Sequence, residues 1–194
     1  MVDRLIEGVD CDAILVDNEK GSHAAVKYLI DNGYRKIALI NGFTDRTTGK
    51  ERLNGYVRAL KENNIKINND LIKIRDFKKR SGILLAEELL QNKDKPEAIF
   101  AANLDLTLGT LLSAKKFGLK IPDDLAVIGF DDTDWAEITE PPLTVIRQPI
   151  YDLGATSAET LIKNIEEDNK PDREKLIITL NTKLIERDSV KKIN

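Results

Sequence analysis

Residues 96–132 read PEAIFAANLDLTLGTLLSAKKFGLKIPDDLAVIGFDD. The apolar run at residues 98–102 predicts a strand that ends at Asn103, and the segment that follows it predicts a helix. A second apolar run at residues 125–130 predicts a strand that leads into Asp131. Two parallel strands joined by a helix form a βαβ unit, and open α/β sheets bind their ligands beyond the carboxyl ends of the strands. The stretch therefore predicts a parallel sheet with polar side chains at its binding edge.

Apolar runs and amphipathic segments alternate along the rest of the chain as well. Short apolar runs favour strands, and apolar residues three to four positions apart favour helices. The alternation predicts an α/β fold, a parallel sheet flanked by helices, with residues 12–16 as its first strand. A turn at residues 181–182 separates the last two predicted strands. The other strands are predicted at residues 36–40, 71–74, 143–146, 175–180 and 183–186, the other helices at residues 21–32, 47–63, 81–91 and 151–166, an irregular loop at residues 134–142 and a polar linker at residues 167–174.

The composition is that of a globular protein without a strongly charged surface. The chain has 194 residues, of which 41% are apolar, and 30 basic against 33 acidic residues give a net charge of −3. This balance argues against a basic nucleic-acid surface, and no apolar run approaches the roughly 18 residues of a membrane helix. Because the first residues are too acidic for a signal peptide, we expect no membrane contact and a cytoplasmic location.

The scarcity of cysteine and histidine limits the chemistry that the chain can perform. Cys11 is the single cysteine and His23 the single histidine, which excludes an internal disulfide and cysteine-cluster or multi-histidine metal sites. The glycine motifs that cradle phosphates, G-x-G-x-x-G and G-x-x-x-x-G-K-[ST], do not occur. We therefore expect neither a metal nor a cofactor, and the sequence argues against a dinucleotide or nucleoside triphosphate site.

Polar side chains follow each of the first five predicted strands. Such groups can form hydrogen bonds with ligand hydroxyls, and the ring of Phe77 can stack on a flat apolar face. Asp131 and Asp132 could share acid and base roles in catalysis. Neighbouring side chains at a strand end point in different directions, so one acid facing a ligand and the other bonding to backbone is the simpler interpretation. The five polar strand ends are at residues 17–18, 41–42, 76–77, 103 and 131–132.

Several short motifs resemble the effector-binding region of the LacI/GalR family of bacterial transcription repressors. They occur in the family's order and spacing over nearly all of the chain, and together they are far more specific than any one alone. The motifs are VDN at 16–18, GYRKI at 33–37, RLNGY at 52–56, IFAAN at 99–103, GLKIPDD at 118–124, VIGFDD at 127–132 and PPLT at 141–144 with Gln148-Pro149.

The resemblance implies a periplasmic-binding-protein-like fold of type I, in which two α/β subdomains hold a ligand, usually a sugar or a nucleobase, in the cleft between them. By position, Asn103 and Asp131 match the family's amide and carboxylate that bind ligand hydroxyls, Arg52 matches its cleft arginine, and Phe77 its stacking aromatic. One departure is Leu104, which stands where family members commonly have an acid. Three further positions match the family's site less directly, namely Thr48, Gln148 and Asp3.

The resemblance begins near the end of the family's first subdomain, so we expect mostly the carboxy-terminal subdomain. A homodimer is implied, and DNA would be bound only through the family's helix-turn-helix domain, which this sequence lacks. The expected division is a remnant of the amino-terminal subdomain at residues 1–11, the carboxy-terminal effector-binding subdomain at 12–146, a crossover and helix that normally belong to the amino-terminal subdomain at 147–170, and returning strands at 171–194.

Each of the main candidate residues also has a purely structural interpretation. Arg52 could pair with an acid on its own helix instead of contacting a ligand. Asn103 could cap the helix that follows it, and a single side chain could serve only one of the two roles. Phe77 could belong to the core instead of forming a stacking platform.

The sequence therefore predicts a sugar-sensing or other small-molecule-sensing module of a LacI-type repressor, without enzymatic activity. A solute-binding protein of a sugar transporter is an alternative with the same fold, and a secretion signal on the complete gene would favour it. A further alternative is an α/β hydrolase-like enzyme that uses Asp131 or Asp132.

Overall fold

A computed structural model of the protein describes residues 1–6, 8–166 and 174–193. The predicted linker at residues 167–174 lies almost wholly outside these residues. The strands are β1 (Val2–Asp3), β2 (Ala13–Val16), β3 (Ile37–Gly42), β4 (Ile72–Arg75), β5 (Ala98–Ala101), β6 (Ala126–Phe130), β7 (Thr144–Arg147), β8 (Ile177–Leu180) and β9 (Lys183–Ile185). The helices are α1 (Asn18–Asp31), α2 (Thr47–Glu62), α3 (Lys79–Gln91), α4 (Leu104–Lys116), α5 (Asp134–Ile138) and α6 (Ile150–Glu166), with a 3-10 turn at Asn69–Leu71.

The larger of two sheets has six strands in the order β4-β3-β5-β6-β7-β9. The first five of these strands are parallel to their neighbours, and β9 adds an antiparallel edge to β7. Every residue of β3, β5 and β6 is buried, as expected for central parallel strands with both faces covered. The predicted α/β class with a helix-flanked parallel sheet is confirmed.

Helices cover the two faces of this large sheet and form one core on each face. Successive residues of a strand point to opposite faces, so Phe100 packs with residues of α1 and α2, whereas Ile99 packs with residues of α3 and α4. On the first face, the hydroxyl of the buried Tyr56 donates a hydrogen bond of 2.8 Å to the carbonyl of Ile37, which ties α2 to the start of β3. The sheet is thus fixed from both sides.

The smaller sheet has three parallel strands in the order β1-β2-β8. The prediction that residues 12–16 belong to the large sheet is wrong, because Ala13–Val16 pairs with β1 and β8 instead. A short apolar run has the same pattern in either sheet, so its partners could not be read from the sequence. The last two predicted strands also lie in different sheets, since β8 pairs with β2 and β9 pairs with β7.

Three connections cross between the two sheets. The chain passes from β2 to α1 at Asp17, from β7 to α6 at residues 148–149, and from β8 to β9 at residues 181–182. At the first of these, the amide of Asp17 donates a 2.9 Å hydrogen bond to the carbonyl of Leu180, so two of the crossings lie side by side. Helix α6 lies against β1 and β2, on the side of the small sheet.

Two smaller findings complete the fold. Part of the region predicted as an irregular loop forms the short helix α5, which ends before the two consecutive prolines at residues 141–142. Among the helices of the described residues, none has the length and apolar character needed to cross a membrane.

Candidate ligand-binding site

The carboxyl ends of strands from both sheets face each other at one edge of the molecule. Three hydrogen bonds cross between the parts there: the Leu5 amide, just after β1, donates to Thr47 Oγ1 at 3.2 Å, Arg52 Nε donates to Asn18 Oδ1 at 2.9 Å, and Asn18 Nδ2 donates to Glu51 Oε2 at 3.0 Å. These hydrogen bonds join residues that follow strands of the small sheet to helix α2, and α2 packs on the large sheet. This edge carries most of the residues that the sequence singled out.

Arg52 is the most buried charged residue of this edge, with only 4% of its surface exposed. Its Nη1 donates to the carbonyl of Ala102, the residue that follows β5, and its Nε donates to Asn18. The guanidinium carbon lies 3.8 Å from the centre of the Phe130 ring, within cation–π distance. Within the described residues, Nη2 has no hydrogen-bond partner, so one donor group of a fixed guanidinium remains for another molecule.

The charge of Arg52 is balanced at a distance and not by a direct ion pair. Burial lowers the pKa of the Arg52 guanidinium, while the nearby carboxylates of Asp131, Asp3 and Glu51 raise it. No carboxylate of the described residues lies within 4 Å of it. Because a buried charge without close compensation is costly, the arrangement favours a ligand that supplies hydrogen-bond acceptors.

Asp131 is held from both sides at the end of β6. Its backbone has a positive φ of 82°, and its amide donates a 2.9 Å hydrogen bond to the Ile146 carbonyl. One carboxylate oxygen accepts a 3.2 Å hydrogen bond from the Leu104 amide in the first turn of α4, and the other accepts from Gln148 Nε2. These bonds hold Asp131 rigidly beside the amino terminus of α4.

Asn103 forms the amino-terminal cap of α4. Its Oδ1 accepts a 2.9 Å hydrogen bond from the Leu106 amide, and its Nδ2 donates to the carbonyl of Phe77 at 3.3 Å. Asn103 therefore caps the helix, as its structural interpretation predicted. Leu104, which stands where family members commonly have an acid, does not disrupt this cap. A ligand contact by Asn103 stays a prediction.

Phe77 is half-buried and packs against both cores of the large sheet. Its ring centre lies 5.9 Å from the guanidinium carbon of Arg52, on the same edge. The ring covers the backbone of Gly42 so closely that a Cβ there would lie 2.0 Å from a ring carbon, so Gly42 must remain glycine for the ring to lie there. Phe77 therefore packs against the core, as its structural interpretation predicted, and its stacking on a ligand stays a prediction.

The remaining predicted residues differ in how closely they join this edge. Asp3 has a positive φ of 69°, and its buried Oδ1 makes no hydrogen bond within the described residues. Gln148 joins the site through Asp131, and it also lines a cavity of about 390 Å³. Thr48 is buried in the first turn of α2, and no hydrogen bond or ring contact among the described residues connects it to the other six.

Asp132 has a structural role that differs from that of its neighbour Asp131. Burial alone would raise the pKa of the Asp132 carboxyl, but hydrogen bonds from Arg187 and Arg147 outweigh burial and hold it below its ordinary value. Arg187 donates two hydrogen bonds of 3.0 Å to this carboxylate, and Arg147 Nε donates one of 2.8 Å. Asp132 thereby ties the end of β6 to β7 and to the segment after β9.

Three residues of the site were missed by sequence reasoning. Asn18 was visible as a polar strand end, but its contact with Arg52 joins positions 34 apart in the chain. Phe130 is the last residue of an apolar run and Glu51 is one of several charged residues on its helix, so neither position stands out in the sequence. A sequence pattern gives no sign that Asn18 and Phe130 contact one guanidinium or that Glu51 bonds to Asn18.

Two sheets whose polar strand ends face each other are typical of α/β folds that bind a ligand at that edge. The chain belongs to the periplasmic binding protein-like domain family, whose profile matches residues 26–190. The matched residues and the relatives correspond to the effector-binding domains of LacI-type regulators, which confirms the resemblance seen in the sequence.

Curated relatives of the chain are repressors of transcription. The chain is 37% identical over 183 residues to the HTH-type transcriptional repressor PurR of Vibrio vulnificus, which covers 94% of this chain and 54% of the relative. It therefore spans about half the length of the curated relatives that it matches.

Two solved structures with similar folds contain sugars. The complex of the transcriptional regulator CelR with cellobiose has a TM-score of 0.87 and 34% identity, covering 94% of this chain and 56% of the other. A LacI family regulator of Enterococcus faecium with bound ribose has a TM-score of 0.84 and 30% identity, covering 98% of this chain and 69% of the other.

Proposed function

We propose that the chain is the effector-binding module of a LacI-type transcriptional repressor and that its effector is a sugar or another small molecule rich in hydroxyl groups. The observation that carries this proposal is the buried guanidinium of Arg52, which is fixed by protein carbonyl oxygens and leaves Nη2 unbonded. It lies where the strand ends of the two sheets face each other, which is the usual position of a ligand in such folds.

The residues around Arg52 supply the complementary chemistry for a polyhydroxylated ligand. Arg52 donates hydrogen bonds, the carboxylates of Asp131 and Asp3 accept them, and the ring of Phe77 offers an apolar face for stacking. The polar side chains of Asn103, Gln148 and Thr48 complete the proposed set. No nucleophile or acid–base pair is needed for this role, so the module acts by binding and not by catalysis.

The bound sugars of the solved relatives support a sugar as the first choice. Cellobiose and ribose are named with two proteins that share this fold at TM-scores of 0.87 and 0.84. A nucleobase is the second choice, because the flat ring of Phe77 suits a planar ligand as well.

Effector binding between the sheets would act by changing their relative arrangement. A ligand that contacts both Asp3 after the small sheet and Asp131 after the large sheet stabilises a closed arrangement over an open one. The three connections at the crossings would serve as hinges. In the cytoplasm, this change would reach DNA through a helix-turn-helix domain of the kind named for the curated relatives.

A second copy of the chain is the proposed protein partner, and it would contact helices of the large-sheet part. Three aliphatic side chains on helices of the large-sheet part are exposed, namely Leu84 of α3, Leu112 of α4 and Ile138 of α5. Exposed apolar groups of this kind favour burial in an interface, so we propose a homodimer through these helices.

Titration calorimetry with ribose, cellobiose, adenine and guanine tests the proposed function. One of these ligands or a related sugar should bind, and Arg52→Ala should weaken binding by roughly 1.5–3 kcal/mol, the value of hydrogen bonds to a charged group. Arg58→Ala is the matched control, because Arg58 lies on the same helix but pairs at the surface with Glu19 at 2.7 Å. Absence of a binding signal with every sugar and nucleobase would refute the proposal.

A further inference from the structure

The side chain of Asn18 uses three hydrogen bonds to connect the small sheet with helix α2. Its Nδ2 donates to the carbonyl of Val16, the last residue of β2, at 3.1 Å, and to Glu51 Oε2 at 3.0 Å. Its Oδ1 accepts from Arg52 Nε at 2.9 Å. The buried amide therefore lies at the first crossing between the two parts and contacts the guanidinium of the proposed site.

The partners of Asn18 determine which way its amide faces. The Val16 carbonyl and the Glu51 carboxylate are acceptors, so both must meet the NH₂ group, and the oxygen must then face the donor Arg52 Nε–H. A flipped amide would place its oxygen against two acceptors and its NH₂ group against a donor. The orientation that suits Arg52 thus depends on the acceptors on the opposite side.

Glu51 is the acceptor that comes from a side chain and can be changed without altering the backbone. It is half-buried, whereas most carboxylates on α1 and α2 form surface ion pairs. Burial raises the pKa of the Glu51 carboxyl, a cost that an exposed carboxylate would not bear. Arg58, a basic residue further along α2, pairs with Glu19 and Glu62 instead.

We propose that Glu51 is a positioning residue for effector binding: by holding the amide of Asn18, it fixes the Arg52 guanidinium in the orientation that the effector meets. The inference rests on the proposed function in so far as it concerns the effector. A flexible arginine loses rotamer freedom when it binds a ligand, and a guanidinium that is already fixed loses less. The effect of Glu51 is therefore on affinity, although it need not touch the effector.

Side-chain NMR of Arg52 tests the positioning without any effector. The Nε–H signal, assigned by its loss in Arg52→Lys, should exchange slowly with solvent in the unaltered chain, because it donates to a buried oxygen. Glu51→Gln keeps an acceptor for Asn18 and should retain slow exchange. Glu51→Met has a similar length but no acceptor, and it should allow the fast exchange of a solvated guanidinium. Unchanged exchange in Glu51→Met, with or without effector binding, would overturn the inference.

Affinity for ribose or cellobiose, whichever the unaltered chain binds, gives the second test. Glu51→Met should weaken binding about tenfold, the equivalent of one lost hydrogen bond, while Glu51→Gln restores it. Equal losses in both variants would mean that the charge of Glu51 matters and not its hydrogen bond, which also overturns the inference. Glu62→Met, an exposed change on the same helix, is the control. If neither sugar binds the unaltered chain, the proposed function fails in its sugar form, while the exchange measurement still decides the positioning.

Discussion

The large-sheet part and the small-sheet part of the molecule are built from the same α/β pattern but are buried to very different degrees. Every residue of β3, β5 and β6 is buried between two layers of helices. In the small sheet, β8 has exposed and half-buried residues in alternation, and α6 has no buried residue. The difference indicates that the large-sheet part contains most of the core that stabilises the chain. The small sheet contributes less buried surface of its own.

The largest effect on the free energy of unfolding is expected from a matched pair of isoleucine substitutions, one in each sheet. Ile128 in β6 is 0% exposed and Ile177 in β8 is 60% exposed. Ile128→Ala should lower the free energy of unfolding by about 3–4 kcal/mol, because it removes a fully packed side chain and leaves a cavity. Ile177→Ala should cost less than about 0.5 kcal/mol, as for most surface positions.

Urea denaturation of the two variants measures this contrast. Ile128→Val, which removes a single methylene, serves as a graded control with a cost of about 1 kcal/mol. Equal losses for Ile128→Ala and Ile177→Ala would show that the two sheets stabilise the chain alike.

The place of β2 in the small sheet is the part of the fold that sequence reasoning did not reach. Apolar runs and helical spacing predicted the position of nearly every strand and helix, because burial of one face imposes a local period. The partners of β2 are β1 and β8, and β8 lies more than 160 residues away in the chain, as in the pairing of Ala13 with Ile177. Such distant pairing depends on the whole packing arrangement and leaves no local pattern.

Two aspartates form ion pairs in different surroundings, Asp132 in the large-sheet part and Asp10 in the small-sheet part. The side chain of Asp132 is 6% exposed and bonds to Arg187 and Arg147, while that of Asp10 is 78% exposed and pairs with Lys175. Asp132→Asn should cost about 2 kcal/mol, since it weakens charge-assisted hydrogen bonds in a protected place. Asp10→Asn should change stability by less than about 1 kcal/mol, because solvent screens the pair.

The pH dependence of stability gives an independent check on Asp132. The folded-state pKa of Asp132 is lowered, so its contribution is present above the unfolded-state pKa of about 4 and is lost as the pH falls through the folded-state pKa. The unaltered chain should therefore lose more stability between about pH 5 and pH 2 than Asp132→Asn does. Parallel stability curves for the two proteins would contradict this role.

A smaller effect is expected at the binding edge, where the large-sheet part supplies a helix cap. Asn103→Ala should destabilise the chain by about 1 kcal/mol, because the Leu106 amide loses its acceptor. Asn103→Ser should recover most of this stability, since serine also caps helices. Thermal unfolding of both variants provides the comparison, and an unaltered melting temperature in Asn103→Ala would show that the cap is dispensable.

The sequence predicted which candidate residues lie at this edge better than it predicted the contacts between them. The family resemblance pointed to Arg52, Asp131 and Phe77, and the structure brings all three to one edge. It could not show that Phe130 lies under the guanidinium or that Asn18 fixes it, because these contacts arise from the meeting of α1, α2 and β6.

NMR titration of the chain with ribose and cellobiose tests most directly whether the edge between the two sheets binds the effector. The account predicts that the largest shifts appear at the amides of Leu104 and Asp131 and at the Arg52 side chain. The opposite end of the large sheet serves as an internal reference, because Gly118 and Lys120 line a cavity of about 930 Å³ there. Shifts confined to Gly118 and Lys120 on binding, with none at Arg52, would contradict the account.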